Sequence, residues 1–375
     1  MRVLFTFVGG PGHLLPLVPI ARAVAAAGHV VAFAGSGSMT QAIETCGFRA
    51  FATEPASTGV RPRRPLPKLD NERAAWELTE IFARSEAPRR AKAILELARE
   101  WEPDVIVGDE VDFGSMVAAE RLSIPHAGVL VLAAGGLLRK EIVVEPLREL
   151  RDTYGLPSDP ELAMLDSDLV LSPVPPSFRD PDFPLPATAH AIRTCDVTPR
   201  RPGRPDGPLV YFTLGTEFNT ESGDLFSRVL AGLGQLPVTT VATVGVHVDP
   251  AELGPQPPNV RVRQYVPQGE LLPTCDLVVS HGGSGTVIGA LAHGVPCLLI
   301  PLGADQPHNA ARCAALGAGE VFDPLSLTPE TMRSAASAML SDPRYRQAAE
   351  AVRREVADLP GPESAVPLLE RLTKR

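Results

Sequence analysis

Residues 277–301 read LVVSHGGSGTVIGALAHGVPCLLIP. An uncharged, β-branched run meets a histidine and three glycines, apolar residues at helical spacing follow at once, and a second apolar run opens at Pro296. Short apolar runs bounded by turn residues read as buried strands, and a helix between two of them makes a crossover between parallel strands. Residues 3–24, VLFTFVGGPGHLLPLVPIARAV, repeat the pattern with one histidine at the turn. There Leu14, Leu17, Val18, Ala21, Val24 and Ala25 predict a helix over 14–27, Gly28 fits its C-cap, and VVAFAG (30–35) is the next strand.

Outward from these two units the alternation continues. Helical stretches near 72–86 and 89–101 are separated by Pro88; DVIVG (104–108) is a strand, a helix lies near 113–122, and HAGVLVL (126–132) is another strand. Residues 172–208 are Pro-rich with few periodic apolar positions, which helices and central strands tolerate poorly, so they read as surface connection and linker. A boundary falls near 196–208. The alternation then restarts, with strands at 209–215, 239–245, 260–266, 277–280 and 296–301, and a helical tail over 328–375 broken at Pro343, Pro360 and Pro362. The predicted fold is α/β: two Rossmann-like βαβ domains facing a cleft, covering 1–200 and 207–358, with 359–375 a C-terminal helix returning to the first domain.

Composition narrows the function. At 375 residues the chain has room for two full cores. The five cysteines are scattered without a CxxC pair, which points away from zinc and disulfides and toward a reducing cytoplasm. A net charge of −9 disfavours nucleic acid. The longest nearly uncharged run, 127–138, is too short to span a bilayer. The single basic run, RPRRPLPK (61–68), reads as a solvated loop. The DPD at 180–182 lies in a Pro-rich loop, and no cluster of His, Cys and carboxylate has ligand spacing, so no metal is expected.

The turn after 277–280 carries His281, Gly282, Gly283, Ser284, Gly285 and Thr286. Free N–H groups at a helix start, backbone made approachable by glycine, two hydroxyls and an imidazole suit a diphosphate. The bland alternative is a Gly-rich turn with Ser284 as N-cap. Asp305 and Gln306 follow the next strand and suit sugar hydroxyls, or else Asp305 caps the helix behind it. Tyr265 is placed to stack on a nucleobase with backbone near Val266 at its edge, or is a core tyrosine at a strand end. Thr216 ends TLGT (213–216), where a hydroxyl reaches phosphate. His13, at the first turn, is either a helix cap or a base.

The stretch YVPQ…LVVSHGGSGTVIGALAHGVPCLLIPLGADQPHNAARCAALGAG (265–319) resembles the donor-binding signature of GT-B-fold, inverting nucleotide-sugar glycosyltransferases. It is most similar to the bacterial branch that glycosylates polyketides and other antibiotics. Weaker likeness extends through GPGHLLPLVPIARAVAAAGHVV and WEPDVIVGDEVDFGSMVAAERLSIPHA. The resemblance implies that the first domain binds the acceptor and the second the nucleotide sugar. It implies that His281, Gly282, Gly283, Ser284, Gly285, Thr286 and Thr216 hold the diphosphate, Asp305 and Gln306 the sugar, and Tyr265 and Val266 the base. It makes His13 the general base, oriented by Asp109, with Asp112 as runner-up and Glu110 a weaker rival, and it implies no cofactor and no metal. Plant members carry a Glu that bonds the ribose hydroxyls where this chain has Gly289; its loss favours a dTDP-sugar over a UDP-sugar, or else Gly289 only packs its helix closely. Trp76, Ile81, Phe82, Phe113, Met116 and Leu132 are candidate liners for a hydrophobic aglycone. A UDP-sugar 2-epimerase and a non-catalytic sugar-nucleotide-binding helper are the rival functions. The resemblance leaves room for a homodimer or an auxiliary activator protein.

Overall fold

The computed structural model describes residues 1–56, 63–197 and 207–374. The chain divides into two compact units, and both are built on a wholly parallel sheet with helices between the strands.

The first unit holds β1 (Arg2–Thr6), β2 (Val30–Gly35), β3 (Arg49–Ala52), β4 (Val105–Asp109), β5 (His126–Val129), β6 (Leu169–Ser172) and β7 (Ala189–Ala191) in the order β3-β2-β1-β4-β5-β6-β7. Alternation along the strands feeds two cores. Val3, Phe5, Phe33, Val105 and Val107 pack on one face, and Leu4, Ala32, Ala34 and Ile106 on the other. The order reverses between β1 and β4, whose carboxyl ends therefore form a topological switch point.

The second unit holds β8 (Leu209–Thr213), β9 (Thr239–Thr243), β10 (Val260–Arg263), β11 (Leu277–Ser280), β12 (Cys297–Leu299) and β13 (Gly319–Val321), ordered β10-β9-β8-β11-β12-β13. Its switch point lies between β8 and β11. Val210, Phe212, Leu277, Val279 and Leu298 carry its core.

Several elements differ from the sequence reading. The first helix breaks into Pro11–Leu14 and Val18–Ala26, because Pro16 has no N–H to continue the ladder. Pro88 does not separate two helices: a helical run continues from Asn71 to Trp101, with π-wound turns over Glu77–Glu86 in which Ala87 N donates to Phe82 O. β3, β6, β7 and β13 escape periodicity because each is only three or four residues long. The boundary between units falls at Thr194–Cys195, while 198–206 of the expected linker lie outside the described residues.

Residues 63–71 belong to the second unit rather than the first. Arg64 N donates to Thr220 O at 2.8 Å, Leu66 packs against the second core, and Arg63 and Arg64 pair with Glu252 and Glu221. The described part of the basic run is thus docked on its unit through charge and one apolar contact, not free in solvent. At the other end of the chain, residues 359–374 join the first unit, where the helix Ala365–Leu372 packs on Val18–Ala26. No helix among the described residues is long and apolar enough to cross a membrane.

Candidate active site

At the first switch point, Asp109 is the last residue of β4 and is fully buried. Its Oδ2 accepts from Val8 N at 2.9 Å and lies 3.0 Å from His13 Nδ1, while Oδ1 accepts from Val111 N at 2.9 Å. Two backbone amides thus fix the carboxylate, and the carboxylate fixes the imidazole. The His13 side chain remains 23 % exposed. Gly9 has φ +85, a left-handed turn that lets the chain pass beside the ring.

The rival carboxylates are otherwise engaged. Asp112 caps the helix Phe113–Leu122 and takes a bidentate bond from buried Arg90. Burial pushes its carboxyl up, but the Arg90 charge and hydrogen bonds outweigh that and hold it below the usual range. Glu110 turns to the main chain past β5, accepting from Val131 N and Leu132 N at 2.5 and 2.6 Å. His126 hydrogen-bonds Ser115 and Ser167 inside the fold, and burial pulls it down to about 4, a neutral structural imidazole.

Among the expected acceptor liners, Phe113 and Met116 are buried in the core of the first unit and line no surface, and Leu132 is buried with them. Phe113 and Met116 stand on the inward side of their helix, which local sequence does not reveal, while Leu132 keeps 8 % of its surface exposed. Phe82 is half-buried with its ring 6.5 Å from that of His13, while Trp76 and Ile81 are exposed.

At the second switch point, His281 is only 8 % exposed. Burial pulls it down to about 4, partly offset by a bond to the Thr213 carbonyl, so it is neutral. Its Nδ1 is buried without a partner. A Cβ on Gly215 would fall 2.6 Å from the ring and one on Gly283 2.5 Å, so these two glycines clasp the imidazole. The helix Ser284–Ala292 starts at once behind it, with no side chain capping its start. A Cβ on Gly285 would meet nothing within 4 Å, so the helix start is open there.

The surrounding side chains depart from the expected division of labour. The Ser284 hydroxyl donates to Asp305 Oδ2 at 2.6 Å and accepts from Asn309 Nδ2 at 3.1 Å, so its hydrogen is committed within the loop. Ser284 is not an N-cap, and Asp305 makes no capping bond to its helix. Gln306 is buried, its carbonyl oxygen accepting from Leu302 N and Gly303 N at 2.7 and 3.2 Å. Asn309, missed in the sequence, is fully buried and ties Gly282 O, Ser284 and Asp305 together. Gln268 donates to the Thr286 hydroxyl at 3.1 Å, which leaves the threonine hydrogen free to point elsewhere. Tyr265 is 67 % exposed and is no core residue; Val266 is half-buried and Thr216 exposed.

Asp180 and Asp182 form a local turn, with Asp182 N donating to Asp180 Oδ1. Among the described residues no group of three or more His, Cys, Asp or Glu is gathered for a metal.

Two parallel Rossmann-like units, one bearing a His–Asp dyad and the other a glycine-clasped histidine before a helix, define the GT-B glycosyltransferase class. Residues 227–372 match the family of the erythromycin biosynthesis protein CIII-like, C-terminal domain. Over its full length the chain is 32 % identical to tylactone mycaminosyltransferase of Streptomyces fradiae, covering 92 % of it. It is 31 % identical to the aclacinomycin-T 2-deoxy-L-fucose transferase of Streptomyces galilaeus, covering 96 %. Among solved structures, the spinosyn rhamnosyltransferase SpnG superposes with a TM-score of 0.82 at 25 % identity, over 99 % of this chain and 100 % of that one. The glycosyltransferase VinC in complex with dTDP gives 0.78 at 26 % identity over the whole of both chains. The chain belongs to this family of macrolide and polyketide antibiotic glycosyltransferases.

Proposed function

We propose that the protein transfers a deoxysugar from a dTDP-sugar to a hydroxyl of a hydrophobic aglycone with inversion. The observation that carries the reading is the 3.0 Å contact between His13 Nδ1 and buried Asp109, on a ring that remains 23 % exposed. A binding helper has no use for such a dyad.

In this mechanism the acceptor hydroxyl gives its proton to His13, and Asp109 stabilises the imidazolium that forms. The oxygen bonds the anomeric carbon from the face opposite the nucleotide as the bond from that carbon to the diphosphate oxygen breaks. Negative charge grows on the leaving diphosphate and meets the positive end of the helix Ser284–Ala292 and the hydroxyls of Thr216 and Thr286, with the neutral His281 ring packed beside them. The role of Ser284 is carried by its backbone N–H, since its hydroxyl is spent on Asp305. Asp305, with Ser284 and Asn309 on one oxygen, faces sugar hydroxyls, and Gln306 offers the sugar only its amide nitrogen. Tyr265 stacks on the base beside Val266. The reading includes no metal.

Two observations bear on the donor. VinC is described with dTDP bound, and one relative is named for 2-deoxy-L-fucose. A Cβ on Gly289 would come within 3.1 Å of Leu272, so a longer side chain there would have to displace that leucine. Close packing and the absence of a ribose partner thus act at one position.

The test is a thermal-shift screen with TDP, UDP, GDP, ADP and NAD. Ligand at 100 times its Kd adds about 2.7 kcal/mol of stability. Preference for TDP supports the donor; equal or stronger response to UDP sinks the dTDP assignment. Product formed from a dTDP-deoxysugar and a mixed aglycone set then separates a transferase from an epimerase or a helper.

A further inference from the structure

The carboxyl end of β4 carries two buried carboxylates in succession, and the dyad uses one. The other, Glu110, accepts from Val131 N and Leu132 N, the first turn of chain beyond β5. Arg179, from the segment beyond β6, grips the same turn. Its Nη1 donates to Leu132 O at 3.0 Å, its Nε to Phe183 O at 2.7 Å, and its guanidinium lies where a Cβ on Gly135 would stand, 2.7 Å from Cζ. Asp180 N donates to Ala134 O, completing the brace. The segment 172–186, Pro-rich and free of regular structure beyond one short turn, is therefore built to hold residues 131–135. Those residues follow Val129, which pairs with Asp109, at the carboxyl end of the sheet, where ligands of parallel α/β sheets bind.

We propose that Glu110 and Arg179 are positioning residues, clamping the 131–135 turn by its amides and its carbonyl so that it forms the wall orienting the acceptor toward His13. The inference rests on the reading of His13 as base. A buried carboxylate kept for stability would have a depressed pKa; burial instead pushes Glu110 up to about 7, Asp109 adding to it while Arg179 and the two amides pull the other way. These are the charged groups that face it: Asp109 from its own strand, Arg179 with neighbouring Asp180 from the bracing segment. With the folded value above the unfolded one, the group favours the fold most below about 4.5, and that contribution is lost as pH rises through about 7. The fold is thus penalised for the carboxylate at neutral pH, which points to position rather than stability as its use.

The experiment compares wild type with Glu110→Gln and Arg179→Lys. The glutamine retains an acceptor for both amides but not the charge that strengthens those bonds. Expected for E110Q is a rise of about tenfold in acceptor KM, with kcat and TDP affinity close to wild type. Below neutral pH, log kcat/KM of the wild type should fall with one more ionisation, that of Glu110, than log kcat/KM of E110Q. Hydrogen exchange at Val131 and Leu132 should quicken about tenfold in E110Q, and its Tm at pH 8 should match or exceed wild type. Arg179→Lys, which cannot reach both carbonyls as a fork, should raise acceptor KM in the same direction. Unchanged KM and a pH profile superimposable on wild type would overturn the proposal, as would unaltered exchange at those two amides. Loss of TDP binding by the wild type would instead overturn the donor reading, and exchange would still decide the clamp.

Discussion

The two switch points use the same side chain for opposite ends. His13 is given a carboxylate and left partly exposed; His281 is given glycines, a carbonyl and near-complete burial, with one nitrogen unpartnered. A carboxylate partner fixes the orientation of the ring and stabilises the imidazolium that proton transfer creates, as a base requires. Burial without a carboxylate keeps the ring neutral, a packing element of the turn rather than a base. The difference comes from what ends the neighbouring strand: β4 ends in Asp109, while β8 runs into Leu214 and Gly215.

The strongest blow to this contrast would come from His13→Ala. Turnover should fall by about 10²–10⁴ while TDP binding is unchanged. Equal losses of both would erase the distinction between the two histidines. Asp109→Ala should lose a similar share of turnover, and it should also unfold more readily. Two buried N–H groups, of Val8 and Val111, would lose their acceptor at about 1–3 kcal/mol each. Asp109→Asn separates the effects: most of the stability should return, and the activity should not.

On the other side of the comparison, Gly215→Ala should weaken TDP by about tenfold with little change in kcat at saturating donor. Its φ of +74 is costly for alanine, and the new methyl would press on the His281 ring. A TDP affinity equal to wild type would show that the clasp is not part of the donor site. The smallest effect sharpens the contrast through pH. His281 and His126 are both depressed to about 4 from an ordinary 6.5, so the stability they contribute is fully present above about 6.5 and is lost as pH falls toward 4. Chemical denaturation at pH 7.5 and 5.0 should show a lower midpoint at the acid value, and His281→Gln should reduce that loss. An identical midpoint shift in the variant would contradict the neutral assignment.

Much of this was legible in one dimension. Glycine spacing after an apolar run placed both turns, and the residues at each turn could be named, because a strand-to-helix turn concentrates its chemistry within a few adjacent positions. Partners distant in sequence were harder to name. The sequence ranks Asp109 ahead of Asp112, but what engages Asp112 is visible only in Arg90, a pairing across 22 residues that no periodicity marks. Asn309 looked like any polar residue on a helix, yet it knots Gly282, Ser284 and Asp305. Phe113 and Met116 were offered to a pocket because apolar residues near a site look alike whether they face ligand or core.

The sequence by itself determined the parallel βα architecture, the two histidine turns and the family, since these follow from local pattern and from motif. Tertiary structure alone decided how each polar group is spent. It gave the Ser284 hydroxyl to Asp305, the Gln306 carbonyl to its own loop, and Glu110 to the turn beyond β5. It also assigned residues 63–71 to the second unit. The reason is physical: a hydrogen bond or an ion pair is set by distances within about 3 Å in space, and separation along the chain does not encode them.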